Sequence, residues 1–258
     1  MTDETAPPRL LRSALFVPGD KPRAVEKAAG LKADALMLDL EDAVSPQNKP
    51  GARAALAAAI AGFRSAGRRA VVRIAAPDSA DLDADVRAAA PARPDAVLIA
   101  KLESADGLSQ TRRRLSEAGF DGPLWAMIET PRGIFALEQM AAAGRAPGLQ
   151  AVIAGTNDLA EMLKLPDGAD QRPALAPHLA RLVMASRALG VSVLDGVYNA
   201  YTDTEGFRAE AEAGRAMGFD GKSLIHPGQV APANAAFAPS PAEIAWAAVV
   251  VAAFEDPA

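Results

Sequence analysis

Acidic and basic residues stand at the ends of short apolar runs, and their types point to chemistry. Leu124-Trp-Ala-Met-Ile128 delivers Glu129, and Thr-Pro-Arg-Gly133 then breaks the run. A run of Leu, Trp, Met and Ile is apolar on both faces, as in a parallel sheet, so the carboxylate appears only where the strand is spent. That is where α/β enzymes hold their reacting groups. The same pattern recurs at Pro18-Gly19-Asp20, Asp39-Leu-Glu41-Asp42, Arg73, Lys101-Leu-Glu103, Asn157-Asp158, Asp195-Gly196 and His226-Pro227. Helix capping accounts for an Asp or Asn at such a place. It does not account for Glu129, Arg73 or Lys101, which are not capping types. Carboxylates in a chain with no cysteine and two histidines suit a hard divalent ion such as Mg2+, bound by one or two carboxylates with water and substrate completing the octahedron. Glu129 and Asp158 close successive runs and are the pair expected to share it; the alternative is a buried ion pair of Glu129 with Arg73 or Lys101.

The elements that must position these groups form a regular beat. Strand-length apolar runs occur at Ala14 to Val17, Ala35 to Leu40, Ala70 to Ile74, Ala96 to Ala100, Leu124 to Ile128, Gln150 to Ala154, Val191 to Leu194 and Lys222 to Ile225. Between them lie segments of helical spacing, among them Arg53 to Arg64, Leu108 to Ala118, Ile134 to Ala143, Ala174 to Leu189 and Thr204 to Met217. Gly119, Gly190 and Gly218 close helices before the next strand. Eight strands alternating with helices in 258 residues predict a (β/α)8 TIM barrel of the α/β class, one domain over 1–258 with 239–258 a C-terminal helical extension. In such a barrel the strand ends converge on one mouth.

Composition bounds the partners. Half the residues are apolar and the formal charge is -5, so no basic field argues for nucleic acid or an anionic membrane. Arg112-Arg-Arg114 and Arg68-Arg69 have no interleaved aromatics and read as solvated surface. Gly221-Lys-Ser223 resembles a phosphate loop, but Ala216 stands where its first glycine belongs, so it reads as the start of strand eight. Met1 to Arg12 carries no apolar leader core, and Ala245 to Phe254 is too short to span a bilayer, which leads to the expectation of a cytoplasmic protein. Ile244 to Phe254 has the look of a helix needing a partner surface.

Several motifs occur together in one order: Arg12-Ser-Ala-Leu-Phe-Val-Pro-Gly19, Leu38-Asp-Leu-Glu-Asp-Ala-Val44, Val72-Arg-Ile74, Ile128-Glu-Thr-Pro-Arg-Gly133, Gly155-Thr-Asn-Asp-Leu159, Asp195-Gly-Val-Tyr198 and Gly218-Phe-Asp-Gly-Lys-Ser-Leu-Ile-His-Pro227. In these the chain resembles the citrate lyase β-subunit and its stand-alone relatives in the HpcH/HpaI aldolase family, which include malyl-CoA and citramalyl-CoA lyases. The resemblance implies that Glu129 and Asp158 hold Mg2+ and that Arg73 and Glu129 contact substrate. It also implies that Phe16, Arg23 and Lys27 lie near the thioester carrier, the basic pair facing CoA phosphates. The expected activity is carbon–carbon cleavage of a 3-hydroxyacyl-CoA of citryl, citramalyl, malyl or 3-hydroxy-3-methylglutaryl type. Alternatives are thioester hydrolysis, or a lyase subunit acting on an acyl-carrier protein within a complex. Arg73, with its fork of donors, would hold either the thioester oxygen as it becomes an enolate or a substrate carboxylate. Glu41 and Asp42 would accept from metal-bound water, one of them as proton acceptor, unless both are taken up by a salt bridge to a lysine such as Lys101. Relatives are often trimers or hexamers, so a homo-oligomer is expected.

Two departures stand out. Val-Arg-Ile is followed by Ala75 where the family usually has Asn, removing a polar group beside the expected substrate arginine. Many relatives continue beyond Pro239-Ser-Pro-Ala-Glu-Ile244 into a lid segment, whereas this chain ends at Glu255-Asp-Pro-Ala258, so no residue of that lid is carried over.

Overall fold

Each apolar run becomes a strand that is buried on both faces. In the computed structural model, which describes residues 10–167 and 170–255, these are β1 (Ser13–Pro18), β2 (Ala35–Asp39), β3 (Arg69–Ile74), β4 (Ala96–Ile99), β5 (Leu124–Ile128), β6 (Leu149–Ala154), β7 (Ser192–Asp195) and β8 (Gly221–Leu224). The first nine residues and the last three, including most of the Glu255-Asp-Pro-Ala258 terminus, lie outside the described residues. The strands pair in parallel in chain order, and β1 meets β8, so the sheet closes into a barrel. The fold is a (β/α)8 barrel.

Helices α1 (Pro22–Ala29), α2 (Lys49–Ser65), α3 (Leu82–Ala92), α4 (Ala105–Glu117) and α5 (Pro131–Ala142) follow the first five strands, and α6 (Thr156–Met162) and α7 (Arg172–Leu189) both follow β6. They are followed by α8 (Thr204–Met217), α9 (Val230–Ala236) and α10 (Pro241–Glu255). The break after β5 has a local cause. Thr130 accepts the Gly133 amide at 2.9 Å as an N-cap, and Pro131 opens α5 where no amide donor is needed. Gly119, Gly190 and Gly218 all have positive φ at helix ends, as a left-handed stop requires.

Strand alternation sorts the core in two. Ala35 and Met37 of β2, Val71 of β3, Trp125 and Met127 of β5 and Ile153 of β6 fill the barrel, while Leu36, Leu38, Val72, Ala126 and Val152 face the helices. Because side chains alternate, the next inward positions after Met37, Val71 and Met127 are Asp39, Arg73 and Glu129. Phase thus carries three polar groups into the mouth, all of them buried.

The same rule removes Asp195 from the mouth, where the strand-end pattern had put it. Leu194 fills the barrel interior, so Asp195 turns outward. There Arg172 donates to both its oxygens at 2.8 Å, and Lys222 Nζ lies 3.0 Å away and 2.7 Å from Glu210. Burial works against the Asp195 carboxylate, but Lys222 and Arg172 outweigh it and hold the acid below its usual range. This cluster pins α7 and α8 to β7 and β8. Gly221-Lys-Ser223 is, as expected, the start of β8, with both side chains buried.

Helix α10 occupies the C-terminal extension. Glu243 pairs with Arg215 of α8 at 2.7 Å, while Ile244, Trp246, Val249, Val251 and Phe254 are exposed. Among the described residues no single helix is long and apolar enough to cross a membrane.

Candidate active site at the barrel mouth

A cavity of about 630 Å3 opens where the strands end, within the range of small-ligand sites. Its wall includes Phe16, Asp39, Asp42, Arg73, Lys101, Met127, Glu129, Asp158 and Glu161. Residues from five strand ends and from α6 therefore meet, although they are spread over more than half the chain.

Arg73 is held from below. Its Nε and Nη2 donate to the two oxygens of Asp39 at 2.7 and 2.6 Å, and the same oxygens accept the Glu41 and Ala43 amides at 3.0 Å. The Phe16 ring packs against the guanidinium, 4.8 Å from its centroid. Burial opposes the charge, but Asp39, Glu41 and Glu129 raise the Arg73 pKa further above its ordinary value, so it stays cationic. The fork that sequence reasoning offered to substrate is thus spent on Asp39. Nη1 remains, 3.4 Å from Met127 Sδ and 3.4 Å from Glu41. Asp39 was not singled out from the sequence as a site residue; its signal was the inward phase shared with Ala35 and Met37.

Glu129 does not pair with a side-chain cation within 4 Å among the described residues. Its Oε1 accepts the Lys101 backbone amide at 2.7 Å, and the other oxygen takes no hydrogen bond among the described residues. Burial, reinforced by the charge of Asp158, pushes its carboxyl up to about 7, against the pull of Arg73 and Lys101. Asp158 stands in the first turn of α6, close enough to raise Glu129, and pairs with Lys101 Nζ at 3.5 Å. Gly155 faces Glu129 so closely that a Cβ there would overlap the glutamate Cβ and come within 2.8 Å of Oε2. Two neighbouring carboxylates, Glu129 with one open oxygen and Asp158 paired only at 3.5 Å, fit a hard cation. No group of three or more His, Cys, Asp or Glu able to hold a metal occurs among the described residues, so any such ion would complete its shell with water and substrate, as Mg2+ does.

Glu41 and Asp42 reach the same cluster. Lys101 Nζ lies 2.5 Å from Glu41 and 3.2 Å from Asp42, so the salt bridge weighed from the sequence does form. Burial and the neighbouring Asp42 raise the Glu41 carboxyl despite Arg73 and Lys101. Arg23 and Lys27 of α1 are exposed, stand outside the cavity wall and have no ion-pair partner among the described residues. Ala75 is buried, donates its amide to Asp85 at 2.9 Å and is absent from the cavity wall. His226 caps the turn after β8, its Nδ1 accepting the Gly228 amide.

Comparison with known proteins agrees with this fold. The chain is 46% identical over 248 residues to the (3S)-malyl-CoA thioesterase of Cereibacter sphaeroides, covering 95% of this chain and 83% of the relative. It is 33% identical to the L-malyl-CoA/beta-methylmalyl-CoA lyase of Rhodobacter capsulatus, covering 98% and 87%. Among solved structures it matches CitE of Mycobacterium tuberculosis, in complex with magnesium, acetoacetate and coenzyme A, with a TM-score of 0.75 and 30% identity over 95% of this chain and 87% of that one. Residues 12–227 match the profile of the HpcH/HpaI aldolase/citrate lyase family, and the chain belongs to that family.

Proposed function

We propose that this protein is a Mg2+-dependent enzyme of short hydroxyacyl-CoA thioesters of the malyl-CoA type, and that it hydrolyses the thioester to the free acid and CoA. The observation that carries the reading is the convergence of Glu129, Asp158 and the Nη1 of Arg73 in one cavity. Such a set matches a substrate with a hydroxyl, a carboxylate and a thioester. Mg2+ held by Glu129 and Asp158 would supply Lewis-acid polarisation of a substrate oxygen. Arg73, kept charged and aimed by Asp39, offers Nη1 to the thioester oxygen or a substrate carboxylate. Asp42, which lines the cavity, is the candidate to take a proton from attacking water, and Glu41, held 2.5 Å from Lys101, is the alternate. Phe16 holds the guanidinium face, and Arg23 and Lys27 are left to meet CoA phosphates outside the mouth.

Two observations favour hydrolysis over carbon–carbon cleavage: the 46% identity to a malyl-CoA thioesterase, and a mouth open enough to leave the Asp42 side chain 54% exposed, which admits water. The lyase reading is second, supported by the 33% identity to a malyl-CoA lyase. A homo-oligomer, trimeric or hexameric, belongs to the same proposal, and the exposed apolar residues of α10 support it.

The test is incubation of the purified protein with malyl-CoA and Mg2+, with an EDTA control, and identification of products by mass. Malate with free CoA, abolished by EDTA, is the expected result. Acetyl-CoA with glyoxylate would establish the lyase instead, and no turnover of malyl-, citramalyl- or citryl-CoA would overturn both.

A further inference from the structure

Lys101 touches both candidate cation ligands by different means. Its backbone amide donates to Glu129 Oε1 at 2.7 Å, and its ammonium lies 3.5 Å from Asp158. The ammonium is also held by Glu41 at 2.5 Å and Asp42 at 3.2 Å, so three carboxylates converge on one nitrogen. The arrangement carries a backbone cost. Lys101 has φ +46°, a left-handed conformation that L residues other than Asn and Asp seldom adopt. That conformation turns the amide to Glu129 while the side chain crosses the mouth.

We propose that the Lys101 ammonium is a resident place-holder cation: it and a divalent cation compete for Asp158, while Glu41 and Asp42, its nearer partners, retain the ammonium when the metal enters. The proposal rests on the reading of Glu129 and Asp158 as a cation site. An ammonium 3.5 Å from one Asp158 oxygen repels a metal arriving at the same carboxylate, so entry of the metal favours withdrawal of the ammonium from Asp158. Glu41 and Asp42 keep the ammonium nearby when it withdraws. The consequence is a site whose affinity for free cation is held down, so that cation is taken up most readily together with an anionic substrate that adds negative charge at the mouth.

The experiment is calorimetric titration of metal-stripped protein with Mg2+ and with Mn2+, without substrate, for wild type, Lys101→Met, Lys101→Asn and Arg132→Met. Asn tolerates the left-handed backbone, so it guards against a Met variant that fails to fold. Arg132 is 79% exposed on the adjoining groove and forms no ion pair with Glu129 or Asp158, so it controls for loss of charge alone. Removing a cation 3.5 Å from an acidic ligand is expected to tighten divalent binding at least about tenfold in either Lys101 variant. Arg132→Met should stay within about twofold, its charge being screened by solvent. Unchanged or weaker binding in the Lys101 variants, or equal tightening in Arg132→Met, would overturn the place-holder role while leaving the cation site in place. No divalent binding by any variant would overturn the cation site itself, and the place-holder with it.

Discussion

Asp39→Ala is the substitution with the most calculable consequence. The Asp39 side chain has no exposure and that of Arg73 has 7%, so their bidentate pair is buried. Removing one partner of such a pair costs about 3–5 kcal/mol, because the remaining charge has no solvent to turn to. The Glu41 and Ala43 amides lose an acceptor as well. Glu41, 3.4 Å from Arg73 Nη1, can take up part of the charge, which sets the expectation at the lower end, about 3 kcal/mol. In a chain of this size each kcal/mol lowers Tm by about 2–4 °C, so a drop of about 6–12 °C is expected. With Nη1 no longer aimed, kcat/KM should fall on the order of 100-fold in the fraction that folds. Asp39→Asn keeps the shape and one acceptor, and should fall between Ala and wild type. Urea unfolding, thermal melts and steady-state kinetics on the three proteins provide the check. A stability change below about 1 kcal/mol in Asp39→Ala would refute the claim that this pair anchors the mouth.

Other consequences follow from neighbouring features. Gly155→Ala places a methyl into Glu129; the overlap is with Cβ rather than a mobile tip, so a loss of about 1–3 kcal/mol in a denaturant titration is expected, with activity falling further than stability. Lys222→Met should cost about 3–5 kcal/mol by leaving Asp195 with Arg172 alone, and Lys222→Met combined with Asp195→Asn should recover part of it; additive losses would count against a coupled cluster. For metal-free protein, the Glu129 carboxyl is pushed up to about 7 from an ordinary value near 4.5, so the folded state binds its proton more tightly than the unfolded chain. Its contribution is fully present below about pH 4.5 and is lost as pH rises toward 7, on the order of 2–3 kcal/mol, and Glu129→Gln should lack that slope in unfolding titrations across the same window.

The strands were legible because a (β/α)8 barrel buries both faces of each one, and near-continuous apolar runs such as Leu36–Leu38 and Val71–Val72 have few other uses. Glu129 and Arg73 could be read for the same reason: a charged residue closing or interrupting such a run must face something. Which face was harder. Asp195 closes its run as Glu129 does, yet the strand phase turns it outward into an ion cluster with Lys222. The Asp39–Arg73 clamp depends on register, since the two are directly paired across β2 and β3, and register follows from the packing of the whole sheet rather than from either segment. Lys101 was visible as a salt-bridge partner, but its left-handed backbone and its amide to Glu129 follow from the turn after β4 and leave no mark in residue types. The exposed apolar side of α10 was foreseen as a helix in need of a surface, because Ile244 to Phe254 lacks a polar face.

The central claim is that Glu129 and Asp158 form the cation site on which turnover depends. Anomalous scattering from crystals soaked in Mn2+ tests it most directly. The account predicts a single strong peak in the mouth within coordination distance of both carboxylates, absent from Glu129→Gln crystals treated alike. A peak elsewhere in the molecule, or one that persists in the variant, would contradict it.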